Sequence, residues 1–288
     1  MSNLLPELLP SNMKDETMDR TRLRTREAMQ DLILRSLSES GFSDVAVFHG
    51  GTCLRKLYGL NRLSEDLDFS LIIPRLEFDF EAHLKRVIAT FGDERLELQA
   101  KVREARGELP IFSVMYGVNF RNILKMAGFS ESVISSVHRD ELIRVKMDVD
   151  TNPPSYRRDG IVHRDGVVSY DVRTEELPVL YAGKMSAVLC RQWKHRVKGR
   201  DLFDYVWYIE RGTPLDMRAL ESRLDKKCRP TSDLDRDVLI EMLDRRFDSL
   251  DLESAKDDVR GFLFDDSCLD LWSPEYFKDL AREIVIEG

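Results

Sequence analysis

Apolar residues recur along this chain at two intervals, and the change from one to the other divides it. Between Met18 and Ser40, residues Met29, Leu32, Ile33 and Leu37 stand at helical spacing on a charged background, which predicts a surface helix. Asp44 to His49 is a short Val- and Phe-containing run ending at Gly50-Gly51, as a strand delivered into a turn would be. Thr52 to Tyr58 then carries the helix formers Leu54, Arg55, Lys56 and Leu57, with Gly59 to stop it. Asp66 to Ile73 alternates and then becomes wholly apolar before Pro74, the pattern of a strand entering a core. Helical spacing returns over Phe80 to Phe91. Two β-rich runs follow at 95–102 and 110–118, then a short helical piece at 122–127. Residues 141–150, ELIRVKMDVD, place Val145, Met147 and Val149 on one face of a strand and Lys146, Asp148 and Asp150 on the other.

Residues 1–15 are polar with two prolines and read as a loose arm. The segment Asn152 to Gly166, rich in Pro, Arg and Gly, reads as a connection or an active-site rim. Beyond Leu177 the periodicity is helical, with helices expected near 178–194, 201–211, 216–226, 234–248, 251–262 and 275–286. The expected fold class is therefore α+β: a mixed sheet with flanking helices over 1–175, followed by a helical lobe over 176–288. No internal repeat or low-complexity tract interrupts it.

A length of 288 residues with 42% hydrophobic content suffices for one large core or two smaller ones. The formal net charge of -8 argues against a surface coated for nonspecific duplex binding, although 44 Lys and Arg leave room for a local basic patch. The four cysteines are widely spaced, with no CxxC, which disfavours zinc and disulfides and fits a reducing cytoplasm. No basic segment precedes an apolar stretch at the N-terminus, and no run reaches the ~18 apolar residues of a membrane span. A cytoplasmic protein without membrane association is expected.

The chemistry concentrates between His49 and Ser70, HGGTCLRKLYGLNRLSEDLDFS. Gly50 and Gly51 lack the Cβ that would keep a phosphate from the backbone, and they precede a helix whose N-terminal amides favour an anion. Thr52 and Ser64 are candidate hydroxyl donors. Asp66 and Asp68 share one face of a strand start, where two carboxylates are easier to accommodate with a cation between them. Hard oxygen ligands suit Mg2+, with Mn2+ as a substitute, and such ions also grip triphosphate oxygens. Asp148 is the third candidate, preferred over Asp150 because it lies deeper in its strand. A Gly-Gly pair alone is usually a turn, and an Asp-x-Asp pair alone is usually a solvated strand face; their order and spacing together are the signal.

Gly50-Gly51-Thr52, the run YGLNRLSEDLDFS from Tyr58 to Ser70, and the block KMSAVLCRQWKHRVKGRDLFD from Lys184 to Asp204 together resemble the nucleotidyltransferase-fold toxins of the AbiEii/MenT type, distant relatives of DNA polymerase beta. The resemblance covers about Phe48 to Trp207. It implies a toxin with a cognate antitoxin protein. It also implies transfer of NMP from Mg-NTP to an RNA 3′ hydroxyl, with the tRNA acceptor end expected and translation blocked. By the same resemblance Asp66 and Asp68 are the metal pair, Lys184 the family lysine and Asp201 the later acid, with Asp204 one turn on as an alternative; the match at Asp148 is weaker.

Read from the residues alone, Lys184 is a helix cation that suits phosphate oxygens, although a solvated lysine looks the same. Asp201 at a helix start could equally be a cap. Arg191, Lys194, Arg196, Lys198 and Arg200 interleave with Trp193 as candidate RNA contacts, or form a solvated loop. Competing functions are nucleotidyl transfer to a protein or small-molecule hydroxyl, and a nucleotide-binding module without chemistry.

Overall fold

The computed structural model describes residues 4–75, 78–103, 111–192, 197–227 and 234–287. It divides into two compact units: the first holds Met1–Tyr58, Leu63–Pro153 and Gly160–Thr174, the second Gly59–Arg62, Pro154–Asp159 and Glu175–Gly288.

The first unit contains α1 (Leu4–Leu8), α2 (Met18–Glu39), β1 (Ala46–His49), α3 (Gly50–Leu57), β2 (Leu67–Leu71), α4 (Glu81–Asp93), β3 (Leu98–Arg103), β4 (Ile111–Asn119), α5 (Phe120–Met126), α6 (Glu131–Ser136) and β5 (Leu142–Asp150). The strands β6 (Asp159–Arg164) and β7 (Tyr170–Glu175) complete one mixed seven-stranded sheet of order β3-β4-β5-β2-β1-β7-β6. At its centre β2 pairs antiparallel with β1 and parallel with β5, and β5 pairs antiparallel with β4. The alternation in β2 and β5 has its expected result. Leu67, Phe69, Leu71, Val145, Met147 and Val149 are buried, and the ring of Phe69 stacks on Phe48 at 4.9 Å. Each such side chain contributes about 1.5–3 kcal/mol of burial, so the apolar face holds the sheet and leaves the opposite face free to be polar.

Helix α2 starts at Thr17, whose side chain accepts from the Arg20 amide, and it buries Met29, Leu32, Ile33 and Leu37. Its buried Gln30 donates from Nε2 to the carbonyls of Ser64 and Glu65, both at 3.0 Å. The loop entering β2 is thereby tied to the helix.

Two expectations are corrected in this unit. The N-terminal arm contains α1, whose Leu5 is fully buried and whose amide donates to Glu94 at 3.0 Å; five residues are too short a window for periodicity to show. The segment read as a connection contains β6, which lies at the sheet edge with most of its side chains wholly or partly exposed, so it lacks the apolar alternation of an interior strand.

The second unit is helical: α7 (Leu177–Cys190), α8 (Gly199–Glu210), α9 (Met217–Lys227), α10 (Arg236–Asp248), α11 (Leu252–Arg260) and α12 (Pro274–Arg282). Tyr181 of α7 stacks on Tyr208 of α8 at 4.4 Å, and Phe247 of α10 on Phe277 of α12 at 5.2 Å. Gly199 lets α8 approach α11 closely, since a Cβ there would collide with the Ala255 carbonyl. Cys190 is disulfide-bonded, a correction to the expectation of unpaired thiols, because spacing along a chain does not reveal which distant positions a fold brings together. Cys53 and Cys268 keep their thiols, and Cys53 Sγ lies 3.0 Å from Thr174 Oγ1. Among the described residues no helix is long and apolar enough to cross a membrane.

Candidate active site

On the polar face of the sheet, strand register builds a row. His49 of β1 is aligned with Asp68 of β2, Asp68 with Asp148 of β5, and Asp148 with Ser113 of β4. Aligned residues on neighbouring strands share a face, so two acids from segments 80 residues apart stand side by side. Continuing the β2–β5 pairing back by one residue from Leu67–Met147 sets Asp66 beside Lys146. Of the two acids weighed on β5, Asp148 is in the row; Asp150 is aligned with Ser70 and accepts the Asn152 amide at 2.9 Å at the strand end.

The glycine turn meets this row directly. Gly50 has φ +80, a left-handed backbone that side chains disfavour, and a Cβ placed on it would collide with Oδ2 of Asp68. The Asp68 carboxylate therefore packs against the turn that opens α3. No side chain caps that helix, so the amides at Gly50 and Gly51 are at an end that favours an anion.

Thr52, named as a candidate phosphate donor, is fully buried, and Oγ1 donates to the Asp66 carbonyl at 2.5 Å. Its hydroxyl is engaged with the backbone that carries Asp66. Ser64 is also buried, beside the point where Gln30 holds the loop.

The Asp148 carboxylate is engaged on both oxygens. Ser113 Oγ donates to Oδ1 at 2.6 Å, and Lys146 Nζ donates to Oδ2 at 2.5 Å. Partial burial alone would lower the Lys146 pKa; the hydrogen bond and charge of Asp148, then the charges of Asp66 and Asp68, outweigh it and raise it. Among the described residues no three His, Cys, Asp or Glu side chains are disposed to hold a metal ion, in keeping with Asp148 being turned to Ser113 and Lys146. Neither Ser113 nor Lys146 was among the expected site residues. Ser113 becomes visible only through the β4–β5 register, whereas Lys146 was legible as a cation on the acidic face of β5.

Lys184 belongs to the second unit. Its Nζ is 2.7 Å from Asp204 Oδ2 and 3.7 Å from Asp201 Oδ1. The nearer acid is Asp204, and Asp201 also pairs with the lysine: α8 begins at Gly199, which puts Asp201 in the first turn, where its Oδ2 accepts from Arg191 at 2.7 Å. Arg62, 2% exposed, donates to both oxygens of the fully buried Asp204, each at 2.7 Å. Burial would raise the Asp204 pKa, but the charges of Arg62 and Lys184 and their hydrogen bonds hold it below the ordinary carboxylate value. Arg62 was missed as a functional candidate although it lies within the motif, four residues before Asp66.

The basic run is partly used inside the same unit. Arg191 pairs with Asp201, and Arg200 lies 4.4 Å over the Phe262 ring. Lys198 is exposed at the start of α8. Lys194 and Arg196 lie outside the described residues.

Comparison with known proteins agrees with this architecture. JHP933 from Helicobacter pylori superposes with a TM-score of 0.51 at 18% identity, over 90% of each chain. MenT4, a nucleotidyltransferase toxin from Mycobacterium tuberculosis, does so with a TM-score of 0.51 at 14% identity, over 98% of this chain and 88% of its own. Likeness at such identity shows the fold alone. No curated protein matches by sequence. The family model for the nucleotidyl transferase AbiEii toxin of Type IV toxin–antitoxin systems matches residues 32–279, and a match over most of the sequence settles membership. The chain belongs to the AbiEii nucleotidyl transferase toxin family.

Proposed function

We propose that this protein transfers NMP from a nucleoside triphosphate to an RNA 3′ hydroxyl, the acceptor end of tRNA, and so blocks translation in the cytoplasm until a cognate antitoxin restrains it. The observation that carries the reading is the packing of Asp68 against Gly50 in the row shared with Asp148. An acidic pair and an anion-favouring helix start are what a cation-neutralised triphosphate needs side by side.

The donors fit Mg2+, or Mn2+ in its place. Asp68, Asp66 and Asp148 are hard oxygen donors, the Asp68 carboxylate packs directly against the glycine turn, and an ammonium already lies against the row. Mg2+ characteristically takes one or two carboxylates and completes its shell with phosphate and water oxygens. When bound, it neutralises charge on the triphosphate and the departing pyrophosphate. The chain's own part is positional: Thr52 and Gln30 fix the approach to β2, and the uncapped start of α3 at Gly50-Gly51 would supply amides to phosphate oxygens. Lys184 is assigned a role in the same reaction by the family resemblance.

Incubation with labelled NTPs and total tRNA tests the proposal. Label should move to tRNA 3′ ends with wild-type protein and fail to move with Asp68→Ala or Lys184→Met. Label that remains free with wild type, or transfer indifferent to Asp68, refutes it. Label recovered on a protein or small molecule instead would overturn the acceptor while keeping the chemistry.

A further inference from the structure

Lys146 has no part in the reaction just described, yet it brings a positive charge to the acidic row. Its Nζ is 2.5 Å from Asp148 Oδ2, and the β2–β5 register sets Asp66 beside it on the neighbouring strand. Asp148 already accepts from Ser113 on its other oxygen. Each Asp148 oxygen thus accepts one hydrogen bond, and a cation approaching Oδ2 meets the Lys146 ammonium as a competing positive charge. Ser113 is held by the β4–β5 ladder, on a short side chain with no reach elsewhere. Lys146 has a four-carbon stem and is 42% exposed, so it is the donor that can leave.

Another lysine in the same unit shows the alternative. Lys56 also pairs with an acid at 2.7 Å, Asp31, but it is 3% exposed and also donates to the Glu27 carbonyl at 2.9 Å. That ammonium is sealed in place and serves the packing of α3 on α2. A half-exposed pair such as Lys146–Asp148 contributes only about 0–1 kcal/mol to stability, so holding the strand together does not explain it. Adjacent carboxylates without a cation repel, and an internal ammonium relieves that repulsion.

We propose that Lys146 is a built-in counterion that occupies the place of a divalent cation at the Asp66–Asp68–Asp148 row and is displaced when the cation binds, so that it sets the metal affinity of the site. This rests on the reading of the row as a metal site, and the test separates the two. Mn2+ binding to the full-length protein without nucleotide is measured by the EPR signal of free Mn2+. Lys146→Met should tighten binding about tenfold, since the competing charge is gone, and Lys146→Arg, which keeps the charge, should stay within about twofold of wild type. Lys146→Gln provides a second neutral variant should Met fold poorly, with melting temperature as the control. Asp68→Asn should abolish binding. Neutral variants that bind no tighter than wild type, while Asp68→Asn loses the ion, overturn the role of Lys146 and leave the metal reading intact. Absence of binding in every protein, with NTP present as well as without, overturns both.

Discussion

Two clusters of carboxylates and cations in this protein are built on opposite principles. In the first unit Asp66, Asp68 and Asp148 are partly exposed on an open strand face, kept together by backbone register, with Lys146 bringing one ammonium to three acids. In the second, Asp204 is fully buried, and Arg62 and Lys184 satisfy it through short hydrogen bonds. A buried ion pair gains little net stability but fixes geometry, since any one partner left alone is a desolvated charge. An exposed row fixes little and stays exchangeable, which is the property a site for an ion and a triphosphate requires.

The same substitution in the two clusters sharpens this contrast. Asp68→Asn should reduce nucleotidyl transfer on the order of a thousandfold, as loss of a charge-stabilising group does, while urea unfolding stays within about 0.5 kcal/mol of wild type. Asp204→Asn should lower stability by about 3–5 kcal/mol, because Arg62 and Lys184 are left short of a buried partner. Its pH signature has a definite sign. The folded Asp204 pKa lies below the ordinary 3.8, so the native state holds the charged form and the contribution is fully present above that value. It fades as pH falls through the lowered folded pKa, so the gap between wild type and Asp204→Asn should be constant from pH 7 to 5 and narrow in strong acid. Equal loss of stability in the two variants would erase the distinction between the clusters.

Gly50→Ala is a smaller perturbation that acts on the open row alone. The residue would sit at φ +80 with its methyl against Asp68. The strain should cost about 1–3 kcal/mol and displace the Asp68 carboxylate, so transfer should fall with stability. A variant that keeps full activity would show that Asp68 does not depend on the glycine turn.

How far these clusters were legible in the sequence depends on the range of the interaction. Asp66, Asp68 and the glycines are close in sequence, so period-two alternation and a strand–turn–helix pattern were enough to place them together. Asp148 could be named from its strand, yet only the parallel β2–β5 pairing aligns it with Asp68, and only β4 brings Ser113 to it. Asp201 and Asp204 stand one turn apart and both pair with Lys184, at 3.7 and 2.7 Å, and spacing alone does not rank them because helix starts are read less securely than helix interiors. Arg62 was hidden because a buried arginine reads as surface until its partner, 142 residues later, is seen. The edge strand β6 escaped because a strand with little apolar alternation has the composition of a loop.

Thr52→Val is the mildest change and the one that separates two accounts of the glycine turn. Valine keeps the shape of the buried threonine and removes only the donor to the Asp66 carbonyl. Loss of that hydrogen bond should cost about 1 kcal/mol, a fall in melting temperature of roughly 2–4 °C for a domain of this size. Because the bond steadies the strand start that carries Asp66, kcat for transfer should fall about tenfold, as loss of support behind a metal ligand does, with the KM for NTP little changed. Thr52→Ser, which keeps the hydroxyl, should restore most of the rate. A phosphate-binding hydroxyl would behave in the reverse manner: the KM for NTP would rise while the melting temperature stayed where it was, because the missing partner would be the substrate and not the protein's own backbone.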